Sequence, residues 1–256
     1  MTSGPEVTAS KSGGQGRRTV FLHGFGSDSQ SWVGTIPALC NTVECWTVDL
    51  PGHGQSNLIE PANTMNGLAA QLAASVFVDD EPIHLVGHSL GGGLAMALTV
   101  LYPHRVKSLA LMAPLGLGSV PYADFLTRFP ELTDEQETFE TLLTLVHRSQ
   151  FISPMFAPLV LQQLDRQGVR SALRSIAVMI AESGAEHGIL AEAVARLKVE
   201  CLVIWGAQDR ISALPLSFRE SFAAQWQVFE ECGHLPHIEH RAATNKLLTD
   251  FLTPAP

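Results

Sequence analysis

A chain of 256 residues, 46% hydrophobic and 16% charged, is long enough for one large domain that buries about 70–75% of the surface its unfolded form exposes. Its formal charge of −9 argues against nucleic acid and an anionic membrane surface as partners. No apolar run approaches the ~20 residues of a membrane span, and residues 1–16 lack the apolar core of a signal peptide. The four cysteines have neither paired nor metal-ligand spacing and suit free thiols in a reducing cytoplasm.

Residues 1–18 are small and polar and predict a mobile arm with a short strand near Val7. Residues 19–22 are a short buried-strand pattern ending in His23-Gly24-Phe25-Gly26. Glycines at a strand end leave room for a backbone amide to approach a ligand, which makes the Phe25 N–H a candidate oxyanion donor. They suit a plain tight turn equally well. Residues 45–49 form the next strand, followed by the turn-rich loop Leu50-Pro51-Gly52-His53-Gly54-Gln55-Ser56. Helical spacing over 65–77 puts Leu68, Leu72 and Val76 on one face.

The chain is organised around what comes next. The apolar run Ile83-His84-Leu85-Val86 enters Gly87-His88-Ser89-Leu90-Gly91, and an apolar helix leaves it until Pro103. A serine between a strand and a helix, flanked two residues away by glycines, is the context in which a strained turn exposes its hydroxyl. The serine then stands at a helix N-terminus, where the unpaired N–H of Leu90 can face a developing oxyanion. Residues 106–112 give another strand, so the pattern is a mostly parallel sheet covered by helices on both faces.

From 114 to 198 the alternation stops and only helical patterns appear, at 135–147, 155–164, 169–181 and 189–197. Tyr122, Phe125, Phe129, Phe151 and Phe156 read there as exposed aromatics. The expectation is a single domain over 1–256, its core about 19–116 and 199–252, with a helical lid inserted over about 117–190. Plain crossover helices are the other reading, but one crossover rarely needs so many. Strands return at 201–205 and 226–229, ahead of a closing helix over about 242–251.

A serine hydroxyl needs a base within hydrogen-bond reach and a third group to orient that base. In an open parallel sheet those partners lie just beyond strand ends. Asp209 follows one late strand and His234 the next, giving the chain order Ser89, Asp209, His234. The stretch after the preceding strand, 113–118, holds no carboxylate to compete with Asp209. His237 reads as a lid-facing residue and His240 as a solvated helix start, while His84 and His104 carry no catalytic argument. His234 with Glu239 matches no common ligand spacing, so neither a metal nor an organic cofactor is expected.

These motifs resemble the α/β-hydrolase superfamily from about residue 19 to 251: His23-Gly24-Phe25-Gly26, Asp49-Leu50-Pro51-Gly52-His53-Gly54-Gln55-Ser56, Gly87-His88-Ser89-Leu90-Gly91-Gly92, Trp205-Gly206-Ala207-Gln208-Asp209 and Gly233-His234. Within the superfamily, Ala113-Pro114-Leu115-Gly116-Leu117-Gly118 and Trp205-Gly206-Ala207-Gln208-Asp209-Arg210 look like the hydrolase-type domain of the acetoin dehydrogenase acyltransferase subunit. That subunit normally carries a lipoyl domain ahead of this fold. Here about 18 residues precede the first clear strand, so a free-standing hydrolase is the expectation.

A serine at the elbow excludes the alkyl-ester chemistry of relatives that use aspartate there. What remains is acyl transfer through a serine ester, with a small to medium, largely apolar ester or acyl molecule as substrate and no nucleic-acid or membrane partner. Hydrolases of carbon–carbon bonds, perhydrolases and acyltransferases of the same fold share the triad. A non-enzymatic binding module is the reading from another class, and it would need none of the three residues.

Overall fold

The computed structural model describes residues 7–117, 123–182, 187–214, 216, 219 and 222–253. Seven strands form one sheet: β1 (Ala9–Gly13), β2 (Arg18–Leu22), β3 (Glu44–Val48), β4 (Ile83–His88), β5 (Val106–Met112), β6 (Glu200–Gly206) and β7 (Gln225–Phe229). Their spatial order is β1-β3-β2-β4-β5-β6-β7, with β1 antiparallel to β3 and every other pairing parallel. Every residue of β4 is buried, as a central strand covered on both faces requires.

Side chains alternate across a strand, so each apolar run feeds two cores. Val20, Leu85, Leu109, Leu111, Val203 and Trp205 join one cluster with α2 (Met65–Val76), α3 (Leu90–Leu101) and α8 (His187–Leu197). Phe21, Val86, Ala110, Met112, Leu202 and Ile204 join the other, closed by α1 (Ile36–Leu39) and the last helix, α10 (Arg241–Leu252). Between β5 and β6 come α4 (Ala123–Arg128), α5 (Glu135–Leu143), α6 (Phe156–Leu164), α7 (Val169–Glu182) and then α8. Helix α8 packs on α3, against the sheet-covering layer.

Three expectations change. The arm expected to be mobile apart from a short strand near Val7 carries β1 two residues further on, where an exposed Ser-Lys-Ser centre gives no apolar signal and main-chain pairing with β3 holds the chain. The short helices α4 and α9 (Pro236–Glu239) went unread, being too short to show a helical period. Phe125 and Phe129 are buried, packed in edge-to-face contact on Phe25 rather than turned to solvent. Tyr122 lies outside the described residues.

Candidate active site

Ser89 sits between β4 and α3 with φ 52° and ψ −118°, a conformation few residues other than glycine adopt. The crossing is close: a Cβ at Gly87 would strike the Gly91 carbonyl, and one at Gly91 would strike the Leu22 carbonyl. Only glycine fits at either place. The strained residue is clamped by its own backbone. Its N–H donates to Met112 O at 3.0 Å, and its carbonyl accepts from the N–H groups of Gly92, Gly93 and Leu115 at 2.9, 3.1 and 2.9 Å.

Asp209, in the loop after β6, has a fully buried carboxylate. One oxygen accepts from the N–H groups of Ile211 and Ser212 at 2.8 and 3.0 Å, and the other is 2.8 Å from His234 Nδ1. With the acceptor on that side, His234 carries its proton on Nδ1 and presents Nε2 as the basic nitrogen. The His234 backbone is fixed at both ends: its N–H donates to Leu145 O, and its carbonyl accepts from His88 Nε2 at 2.9 Å. The sequence-predicted Ser89, His234, Phe25 and Leu90 all line one cavity of about 540 Å³, with Asp209 behind His234. Neither the Phe25 nor the Leu90 N–H has an acceptor among the described residues.

Other residues place these groups, and sequence reasoning did not find their roles. His23 Nε2 accepts from Leu50 N–H at 3.1 Å, so its Nδ1–H donates to Gly24 O at 2.8 Å. His53 repeats the device one loop away, accepting from Gly26 N–H at 3.1 Å and donating to Pro51 O at 3.0 Å. Burial pushes the two imidazoles down to about 4 and about 3, which keeps both nitrogens available as acceptors at neutral pH. The Asp49 carboxylate ties the same loops together through the N–H groups of Ser29 and Gln55, both at 2.8 Å. The amide of Phe25 is thus held by a lattice of backbone contacts.

Glu239 braces the loop that carries His234. Its buried carboxylate accepts from the N–H groups of Gly233, His147 and Arg148 at 2.6, 3.0 and 3.0 Å, tying the His234 loop to the segment after α5. Among the described residues no group of three His, Cys, Asp or Glu could hold a metal ion. His237 is buried between Trp32 and His88, with ring centroids 5.1 and 4.9 Å away, and lines the same cavity as the residues of α4–α7. His240 is half-buried and stacked on Phe229 at 4.5 Å, which corrects the solvated reading.

The rest of the cavity comes largely from the region between β5 and β6. Phe125, Leu126, Phe129, Leu142, Phe156 and Ile180 give it an apolar lining. A cavity of this volume suits a small to medium organic molecule. Gln163 of α6 reaches across to Asp28 Oδ2 at 2.8 Å, joining the two sides of the cavity. Among the described residues no helix is long and apolar enough to cross a membrane.

A model of the alpha/beta hydrolase family matches residues 19–247. The chain is 30% identical over 254 residues to the dihydrolipoyllysine-residue acetyltransferase component of the acetoin cleaving system of Cupriavidus necator, covering 97% of this chain and 67% of that protein. It spans about two thirds of this relative and of its Pseudomonas putida counterpart. It is 29% identical over 254 residues to the 2-hydroxy-6-oxononadienedioate/2-hydroxy-6-oxononatrienedioate hydrolase of Paraburkholderia phymatum, covering 93% of this chain and 88% of the relative. A solved meta-cleavage product hydrolase from Pseudomonas fluorescens shares the fold, with a TM-score of 0.82 at 24% identity over 96% of this chain and 94% of its own.

Proposed function

The chain belongs to the alpha/beta hydrolase family, and on that premise we propose that it is a serine hydrolase cleaving carboxylic esters of a small to medium, largely apolar acyl group. One observation carries the reading: a fully buried Asp209 carboxylate holds His234 at 2.8 Å in the cavity lined by a serine strained to φ 52°.

In this reading Ser89 Oγ attacks the ester carbonyl while His234 Nε2 takes its proton, and Asp209 stabilises the imidazolium that forms. The carbonyl oxygen, now negative, accepts from the amides of Phe25 and Leu90, and the α3 dipole adds to their effect. His234 then returns the proton to the departing alkoxide, leaving the acid esterified to Ser89. Water, deprotonated by the same nitrogen, attacks that ester and frees the acid and the serine. Triad and amides supply nucleophile, base and electrophile, so the steps call for no metal or organic cofactor. The segment from about 117 to 190 is the lid in this account, excluding water from the acyl-enzyme and shaping the acyl pocket. Four unpaired thiols fit a cytoplasmic setting.

Hydrolysis of a carbon–carbon bond in a diketone or acyl transfer is the second reading, favoured by the names of the two relatives above. A panel of nitrophenyl esters of rising length, aliphatic diketones, and a thioester with lipoamide as acceptor separates them. The ester reading expects turnover of the esters with a burst of nitrophenol equal to the enzyme, lost in His234→Ala. Preferential turnover of diketones, or transfer to lipoamide faster than to water, would replace it, and no turnover with any of them would favour a binding module.

A further inference from the structure

The cavity is apolar along α4–α7 but changes character at the opposite wall, where the segment after β2 meets the start of α10. Arg241 lines that wall, the one lysine or arginine among the described lining residues. Its side chain lies along Gly34, where an added Cβ would come within 2.9 Å of Nε and 3.3 Å of Cζ. The missing side chain at 34 leaves room for the guanidinium at the cavity wall. Arg241 is partly open to solvent and forms no ion pair with a described residue. Asp28 accepts from Gln30 N–H and Gln163 Nε2, and Glu239 from three backbone amides.

Its own helix offers nothing either. Arg241 opens α10, whose first turn has no acid and whose preceding His240 makes no side-chain cap. A cation at the positive end of a helix is locally unfavourable, and local rules are broken most often where function requires it. A second observation lies one turn back. His237 lines the same cavity, is buried, and has an Nδ1 without a hydrogen-bond partner among the described residues. Buried ring nitrogens are rarely left unmet. Burial, then His234 and then Arg241, push this imidazole down to about 3, so it is neutral and feels the arginine's charge.

We infer that this wall is an anion subsite, where Arg241 pairs with a substrate carboxylate remote from the bond Ser89 attacks and His237 Nδ1–H donates to the same group. The inference rests on the serine-hydrolase reading and narrows it: the substrate is a half-ester or similar acid-bearing acyl compound, not a neutral fatty ester. A carboxylate fits better than a phosphate, since one planar guanidinium matches its two oxygens and the chain's −9 charge disfavours a dianion.

Two pairs of esters test it. Mono-4-nitrophenyl adipate against 4-nitrophenyl hexanoate places the acid on the acyl side; 4-(hexanoyloxy)benzoate against phenyl hexanoate places it on the alcohol side. In one pair the acid ester should have the higher kcat/KM, mainly through KM. Arg241→Gln should lower that ratio about ten-fold, with partial recovery in Arg241→Lys and inversion in Arg241→Glu. Ratios unmoved by these changes in both pairs would overturn the subsite. If no ester turns over, the serine-hydrolase reading has failed, and thermal shift with monoethyl adipate decides the subsite separately. Wild type should then be stabilised more than Arg241→Gln, and equal shifts overturn it.

Discussion

Ser89 carries a backbone strain of about 1–3 kcal/mol, which its surroundings must offset. That much was legible in the sequence, because a close crossing of strand and helix needs glycine at 87 and 91 and so writes a pattern into adjacent residues. The positions of Asp209 and His234 were legible too, each standing just past an apolar strand run. His23, His53 and Glu239 were not, because each bonds to backbone far away in the chain; Glu239 reaches amides 91 and 92 residues distant. Backbone amides look alike in every sequence. Glu239→Gln should show what such a support contributes. An amide NH₂ would face one of the three N–H groups, costing about 1–3 kcal/mol and lowering kcat as the His234 loop loosens. Chemical denaturation and steady-state kinetics measure both, and an unchanged midpoint with full kcat would refute the supporting role.

Elements with a continuous apolar run or a helical period declared themselves, and β2–β7, α2, α3 and α5–α8 lie where those patterns put them, within two or three residues at most ends. What the period could not tell was which face of each helix between β5 and β6 turns inward, since apolar side chains there meet either the core or the cavity. Phe125 and Phe129 meet Phe25 at centroid distances of 6.4 and 6.0 Å, so the expected lid is packed onto the very loop proposed to supply an oxyanion donor. Phe156 differs: it lines the cavity and remains 46% exposed. Phe156→Ala should therefore lengthen the preferred acyl chain in a nitrophenyl ester series while changing Tm little. Each added methylene the enlarged pocket buries is worth up to ~0.8 kcal/mol, about four-fold in kcat/KM. A variant that shifts Tm and keeps the wild-type length preference would mean that α6 is scaffold.

Across the whole molecule, five buried histidines share one consequence. Burial holds His23 and His84 at about 4 and His53 and His237 at about 3, and His88 well below its ordinary value. Below pH 6.5 the unfolded chain binds protons at these rings and the folded chain does not, so stability falls as pH falls. The loss runs at about 1.4 kcal/mol per pH unit for each histidine until its folded value is reached. Above pH 7 these groups contribute no slope. Thermal unfolding from pH 8 to pH 4.5 should accordingly give a flat Tm at the top and a steep drop beneath pH 6.5. A Tm independent of pH down to 5 would mean that the histidines are less buried than described. The composition foretold a large core; it could not reveal that a cluster of neutral imidazoles stands beneath the active-site loops.

The central claim is that Ser89 is an activated nucleophile. Incubation with a fluorophosphonate probe, followed by mass spectrometry of the intact protein and its peptides, tests it with no knowledge of the substrate. The account predicts one adduct, on the peptide containing Ser89, absent in Ser89→Ala and slowed by about 10⁴ in Asp209→Asn. An unlabelled wild type, or equal labelling of wild type and Ser89→Ala, would contradict it.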